Sequence, residues 1–324
     1  MDQDLITNII IFYSGAYRKS SIQQTGIAGL HCSFAGLTEF KTTLQRLALC
    51  FGPKRLGRSV LKDNLADMHY TRFKQLGTLS DLEEALALER NALEHRPQGH
   101  PQRATSLANL TDSLHSRFKH LGMLSDLKEA LALQRNVLEL CPQGHPHRAT
   151  SLSNLANSLH SRFKQLGMLS DLEEALALER NVLEFRSQGH PVRATSLANL
   201  ANPLHSRFQQ LGPLSDLEEA LALQRSVLEL HQQGHPRQAT SLGNLANSLH
   251  SRFKQLRTLS DLEEALALQC NVLELCPQGH PHQATSLGNL ANSLHSHFQQ
   301  LGTLSDLEGG YSVDLLQYVM IAIV

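Results

Sequence analysis

Residues 146–190 read PHRATSLSNLANSLHSRFKQLGMLSDLEEALALERNVLEFRSQGH, and this stretch decides the fold. Residues 101–145 differ from it at 10 of 45 positions, leaving 35 identical, so the two are copies of one unit. The tripeptide Gly-His-Pro begins at Gly99, Gly144, Gly189, Gly234 and Gly279, a step of 45 residues each time. Asn-Leu-Ala recurs in the same frame between Asn64 and Asn289. The repeat array therefore spans 57–308, as five complete units and the first half of a sixth. A divergent segment, 1–56, precedes it, and an apolar non-repeat tail, 309–324, follows.

Each unit reads as two helices. Leu152, Leu155, Ala156, Leu159 and Phe163 fall at i, i+3, i+4, i+7 and i+11, which is one stripe of a helix. Pro146 suits a first helical turn, where its missing N–H has no partner to lose, and Gly167 supplies a left-handed end. The second helix is expected to open on a capping box, Ser170-Asp171-Leu172-Glu173, repeated at Ser80/Glu83, Ser215/Glu218, Ser260/Glu263 and Ser305/Glu308. At Ser125 the partner is Lys128, and that box is broken. Leu172, Ala175, Leu176, Val182 and Leu183 form the second apolar stripe. Neither helix can bury its stripe alone, so hairpins must stack on hairpins. The expected fold class is all-α, an α-α superhelix of antiparallel helix pairs with a 45-residue period.

Asn154-Leu155-Ala156, Leu159, Ala175 and Val182-Leu183, with Pro142 closing the preceding unit, resemble the tetratricopeptide (TPR) signature. The usual unit has about 34 residues, and this longer one resembles the kinesin light chain type. The likeness extends to fungal TPR arrays often joined to a CHAT (caspase-like) domain or to a nucleotide-binding switch domain. It covers 57–308 and implies a solenoid that holds other proteins.

Several positions depart from the pattern. Arg257 replaces the glycine of Gly77, Gly122, Gly167, Gly212 and Gly302, at a cost of about 1 kcal/mol if the site is left-handed. Pro203 lies inside a first helix and is expected to kink it. After Glu308 the expected Glu-Ala becomes Gly309-Gly310, which reads as a truncated array or an altered reading frame. Leu37 to Leu49 reads as a worn second helix in frame.

The 324-residue chain carries a net charge of −1 and is 41% apolar and 5% aromatic without tryptophan. This balance gives no electrostatic reason to bind nucleic acid or an anionic membrane. Cys32, Cys50, Cys141, Cys270 and Cys276 form no CxxC pair, which suggests neither a disulfide framework nor zinc and points to a reduced, cytoplasmic setting. Val313 to Val324 is about half the length of a membrane span, and the apolar tail is a candidate for self-association.

The candidate site is the polar face of the first helices. Asn154 and Asn157 stand opposite the apolar stripe and recur as Asn199/Asn202, Asn244/Asn247 and Asn289/Asn292, with Asn64/Asp67 and Asn109/Asp112 as acidic variants. In TPR arrays this face lines a concave groove. A column of amides can offer donor and acceptor together to an extended peptide backbone, or can bond neighbouring first helices to one another. Arg117, Arg162, Arg207 and Arg252, with Lys119, Lys164 and Lys254, suit helix carboxyl ends, and an acidic peptide tract is the sharper alternative.

Other chemistry is weaker. The histidines number 18, and two sets recur: His100, His145, His190, His235 and His280 before prolines, and His115, His160, His205, His250 and His295 on first helices. Equivalent positions are expected about 20 Å apart, one helix-pair width, too far to share a zinc, so capping and core contacts explain them. Gly52 to Ser59 imitates a phosphate loop with Arg58 in the lysine place and no sheet around it. Cys141 and Cys276 share a place held elsewhere by Arg96, Arg186 and His231, which is no pattern for a nucleophile. No catalytic residue, metal or cofactor is expected. The expected function is a protein-interaction scaffold holding an extended segment in the first-helix groove. Two readings stand beside it: a regulatory TPR region of a larger CHAT protease or STAND-type NTPase, and a duplicated fragment without a selected role.

Overall fold

The computed structural model describes residues 55–301, except 232, 233, 236 and 277–282, with side chains from Lys62 to Gln300. The worn helix at Leu37 to Leu49, the segment before residue 55 and the tail after 301 lie outside the described residues. Eleven helices and no strands follow one another among the described residues: α1 (Arg55–Leu76), α2 (Leu79–Glu94), α3 (Arg103–Leu121), α4 (Leu124–Leu140), α5 (Arg148–Leu166), α6 (Leu169–Phe185), α7 (Arg193–Leu211), α8 (Leu214–Leu230), α9 (Gln238–Leu256), α10 (Leu259–Leu275) and α11 (Gln283–Leu301). The described part of the phosphate-loop imitation, Arg55 to Ser59, is the first turn of α1 and forms no loop.

The chain divides into two compact units that part between Ser158 and Leu159, inside α5. In the first, Phe73, Leu82, Leu86, Leu110, Leu114 and Ala130 bury one another across α1 to α4. In the second, Phe208, Leu217, Leu221, Leu245, Leu249 and Ala265 do the same across α7 to α10. The two apolar stripes read from 146–190 are buried at Leu152, Leu155, Ala156, Leu159, Phe163, Leu172, Ala175, Leu176 and Val182. Each cluster draws on three or four successive helices, so no pair covers its stripe unaided.

Two helix starts differ from the sequence expectation. The second helices begin at Leu79, Leu124, Leu169, Leu214 and Leu259, with the preceding residue as N-cap and no side-chain cap hydrogen bond. The serine of the expected capping box is the second helical residue and caps nothing. What fixes the start is the left-handed turn together with an aspartate on the third helical residue. Its backbone N–H donates to the N-cap carbonyl (Asp126 to Met123, 3.1 Å), and its carboxylate receives an arginine of the preceding helix. Likewise Pro146 is not in the first turn. α5 begins at Arg148, whose N–H closes a turn on the His145 carbonyl at 3.0 Å, and the proline stands within that turn.

The turn inside each pair is left-handed at Gly77, Gly122, Gly167 and Gly212, and Arg257 takes the same conformation with φ 58°. Its N–H still donates to the Phe253 carbonyl at 2.7 Å, and its guanidinium lies 5.8 Å from the Phe253 ring centre. α7 runs unbroken through Pro203, which is buried.

Candidate partner-binding face

Within each unit, first helices lie beside first helices and second helices beside second helices, in two layers. Across the first layer, His205 Nε2 meets Ser251 Oγ at 2.8 Å and His250 Nε2 meets Ser296 Oγ at 3.0 Å. His160 meets Ser206 at 2.8 Å, and in the first unit Tyr70 Oη meets Ser116 Oγ at 2.9 Å. Across the second layer, Arg90 grips Glu129, Arg180 grips Glu219 and Arg225 grips Glu264, at 2.9 to 3.0 Å. Equivalent positions are thus separated by one helix width, about 8–10 Å, and not by the expected 20 Å of a whole pair. The layering is the reason: each rung adds one helix to each layer.

The asparagines lie on the first layer among buried leucines. Asn109, Asn157 and Asn292 are exposed, while Asn64, Asn154, Asn199, Asn202, Asn244, Asn247 and Asn289 are half-buried. In the second unit the Asn244 amide donates to Asn202 Oδ1 at 3.4 Å, so one amide bridges successive first helices. Asp67 and Asp112 are exposed in the first unit.

Histidines on this layer serve the array. Burial, with a smaller push from Lys164 or Lys254, lowers His160, His205 and His250 to about 4, so each is a neutral imidazole at pH 7. The other set caps loops: Nδ1 of His100, His145, His190 and His235 accepts the backbone N–H two residues on, at 3.1 to 3.3 Å. Among the described residues no three His, Cys, Asp or Glu side chains gather to hold a metal.

The arginine column is committed to its own chain. Arg207 donates to both oxygens of Asp216, at 2.5 and 2.8 Å, and to Glu173 of the preceding pair at 2.9 Å. Arg117 holds Asp126 and Glu83, and Arg252 holds Asp261 and Glu218, in the same way. These guanidiniums tie second helix, first helix and the next second helix together.

A buried polar column escaped the sequence reading. Glu89, Gln134, Glu179, Gln224 and Gln269 are all buried in the second helices. Seven residues on, at the loop between pairs, stand Arg96, Cys141, Arg186, His231 and Cys276. Arg96 is bonded to Asp63, Ser106 and Gln102, Arg186 donates to Ser196 Oγ at 2.7 Å, and His231 Nδ1 meets Ser241 Oγ at 3.1 Å. Cys141 and Cys276 pack in apolar clusters with Leu107 and Val137, and with Leu242 and Val272. The signal was present in the sequence: glutamate is followed by arginine at i+7, and glutamine by a cysteine or histidine.

Residues 238–282 match the tetratricopeptide repeat family. The matched stretch holds α9 and α10. No relative among curated proteins matches the chain. A solved tetratricopeptide repeat protein from Parabacteroides merdae is 16% identical and aligns over 89% of this chain and 94% of its own, with a TM-score of 0.50. A kinesin light chain-type protein of nearly identical TPR-like repeats from Podospora anserina is 20% identical over 68% of this chain and 99% of its own, with a TM-score of 0.49. A Thermus thermophilus TPR protein is 18% identical over 71% of this chain and 98% of its own, also at 0.49. The helix-pair packing is that of a tetratricopeptide solenoid. No described helix is long and apolar enough to cross a membrane.

Proposed function

We propose that the chain is a protein-interaction scaffold whose first-helix layer receives an extended segment of a partner, read by the amides of Asn154, Asn157, Asn199, Asn202, Asn244, Asn247, Asn289 and Asn292. The observation that carries this is a division of labour. Arg117, Arg207 and Arg252 and the first-layer histidines are engaged with the chain's own groups, and the asparagine column, though Asn157, Asn199, Asn202 and Asn244 also have partners within the chain, keeps exposed or half-exposed side chains at every rung. An amide can donate and accept at once, as a peptide backbone requires. The TPR match and the helix-pair packing support a scaffold of this kind.

The Asn202–Asn244 bond joins successive first helices, so the test must separate binding from stability. Asn247 and Asn292 are the positions to replace. Asn247→Ala with Asn292→Ala is expected to leave the unfolding midpoint within about 0.5 kcal/mol of the parent and to remove proteins captured by the intact chain from lysate. Retention of every captured protein, with stability unchanged, would discard the amide column as the binding device.

A further inference from the structure

We infer that the segment received by the first layer is a polyproline-II strand, with one three-residue turn of it to each rung. The inference rests on the scaffold reading above and adds the conformation of the partner. It starts from the sameness of the rungs in the second unit. Asn244-Leu245-Ala246-Asn247-Ser248-Leu249-His250-Ser251 recurs at 289–296 without a change, and 199–206 differs from it only by Pro203 in the place of Ser248. Asn202, Asn247 and Asn292 therefore hold one position on α7, α9 and α11. His205 reaches Ser251 at 2.8 Å and His250 reaches Ser296 at 3.0 Å, each joining residues 46 apart, one more than the repeat. The three helices thus lie side by side at one level, and the asparagines form a row across them with a step of about 8–10 Å. None of the three helices contains Asp or Glu, so the row presents amides and no carboxylate. A ligand that meets every rung in the same way must present the same face once per step.

The regular conformations of a peptide differ in this respect. A β-strand advances about 10 Å in three residues, but its side chains alternate, so the residue at the next rung faces away. An α-helix advances about 9 Å in six residues and has by then turned about 600°, which leaves the contact residue about 240° from its starting side. Polyproline II has three residues per turn and rises about 3.1 Å per residue, so a turn covers about 9.3 Å and the same face returns at the next rung. It has no internal hydrogen bonds, and its carbonyls and N–H groups are open to side-chain amides. An asparagine amide can accept the N–H of every third residue and donate to a carbonyl beside it. Such a segment is ordered before it binds, so little conformational freedom is lost on docking.

An acetylated peptide of three Pro-Pro-Ser triplets is the probe, since only its serines carry an N–H. It is titrated into the full chain and followed by the side-chain amide resonances of Asn247 and Asn292. Saturable shifts of both are expected. The nine-residue peptide should bind about fivefold tighter than two triplets do, because it bonds one rung more. One alanine inserted between the second and third triplets turns the last face away and should return the affinity to that of two triplets. Three Gly-Gly-Ser triplets keep the spacing without the preformed helix and should bind more weakly than the proline probe. Absence of saturable binding would overturn the inference. So would an alanine-inserted peptide, or a glycine peptide, that binds as tightly as the intact probe. These controls alter only the peptide, so a misfolded variant cannot imitate them. If Asn247→Ala with Asn292→Ala abolishes capture from lysate while the triplets do not bind, this inference falls and the scaffold reading stands. Unchanged capture together with no triplet binding would remove both.

Discussion

Glu89 shows how a single carboxyl adapts to this interior. Burial, with the charges of Asp112, Asp63 and Asp67 adding to it and the Ser113 hydroxyl opposing, pushes it up to about 8. At pH 7 it is therefore a neutral acid, which is the chemistry that Gln134, Gln224 and Gln269 provide at the same place. The sign of the pH effect follows from the direction of the shift. The unfolded chain loses this proton near 4.5 and the folded chain only near 8, so the contribution is intact below 4.5 and is lost as pH rises towards 8. The slope is about 1.4 kcal/mol per pH unit at most. Denaturant unfolding of Glu89→Gln at about pH 5 and about pH 8.5 should show the variant gaining on the parent at the alkaline value. Parallel behaviour at both would mean that Glu89 is ionised in the folded chain.

At the scale of a helix, the pairing of position i with i+7 accounts for residues that look arbitrary one at a time. A second helix with buried glutamate ends on buried arginine, as in Glu89/Arg96 and Glu179/Arg186. One with glutamine ends on a residue that carries no fixed charge, as in Gln134/Cys141, Gln224/His231 and Gln269/Cys276. Burial lowers Arg186 and the Glu179 charge opposes that, as expected of two charges that share a poorly solvated layer. Glu179→Gln alone and Arg186→Cys alone each strand one charge, at a cost of about 3 kcal/mol. The double variant recreates the Gln134/Cys141 rung and should cost less than the sum of the singles by at least about 1 kcal/mol in a denaturation cycle. Strict additivity would show that the two side chains do not sense each other. The helices themselves were legible from Leu and Ala spacing because burial of a stripe is a one-dimensional signal. Their starts were not. Ser170 and Glu173 satisfy the capping-box formula, but Asp171 between them is claimed by Arg162 from the preceding helix, and that contact belongs to the packed structure.

Over the whole array, each conserved-looking column separates into one of two uses. Arg117, Arg207 and Arg252 join three helices apiece, and the His–Ser contacts join neighbouring first helices. Sequence spacing could not reveal these uses, because the partners lie 34, 39 or 46 residues away and are fixed by the two-layer arrangement. It also could not give the rung separation, which placed equivalent histidines about twice too far apart. The recurrence of asparagine on one face was legible from spacing, and those side chains are exposed or half-buried. Partners are proposed to meet this face. A photo-reactive phenylalanine analogue placed at Asn202 or Asn247 on the first layer, or at the exposed Ala222 or Ala267 on the second, tests it directly. Cross-linked partner is expected from Asn202 and Asn247 and none from Ala222 and Ala267. Cross-links confined to Ala222 and Ala267 would contradict it.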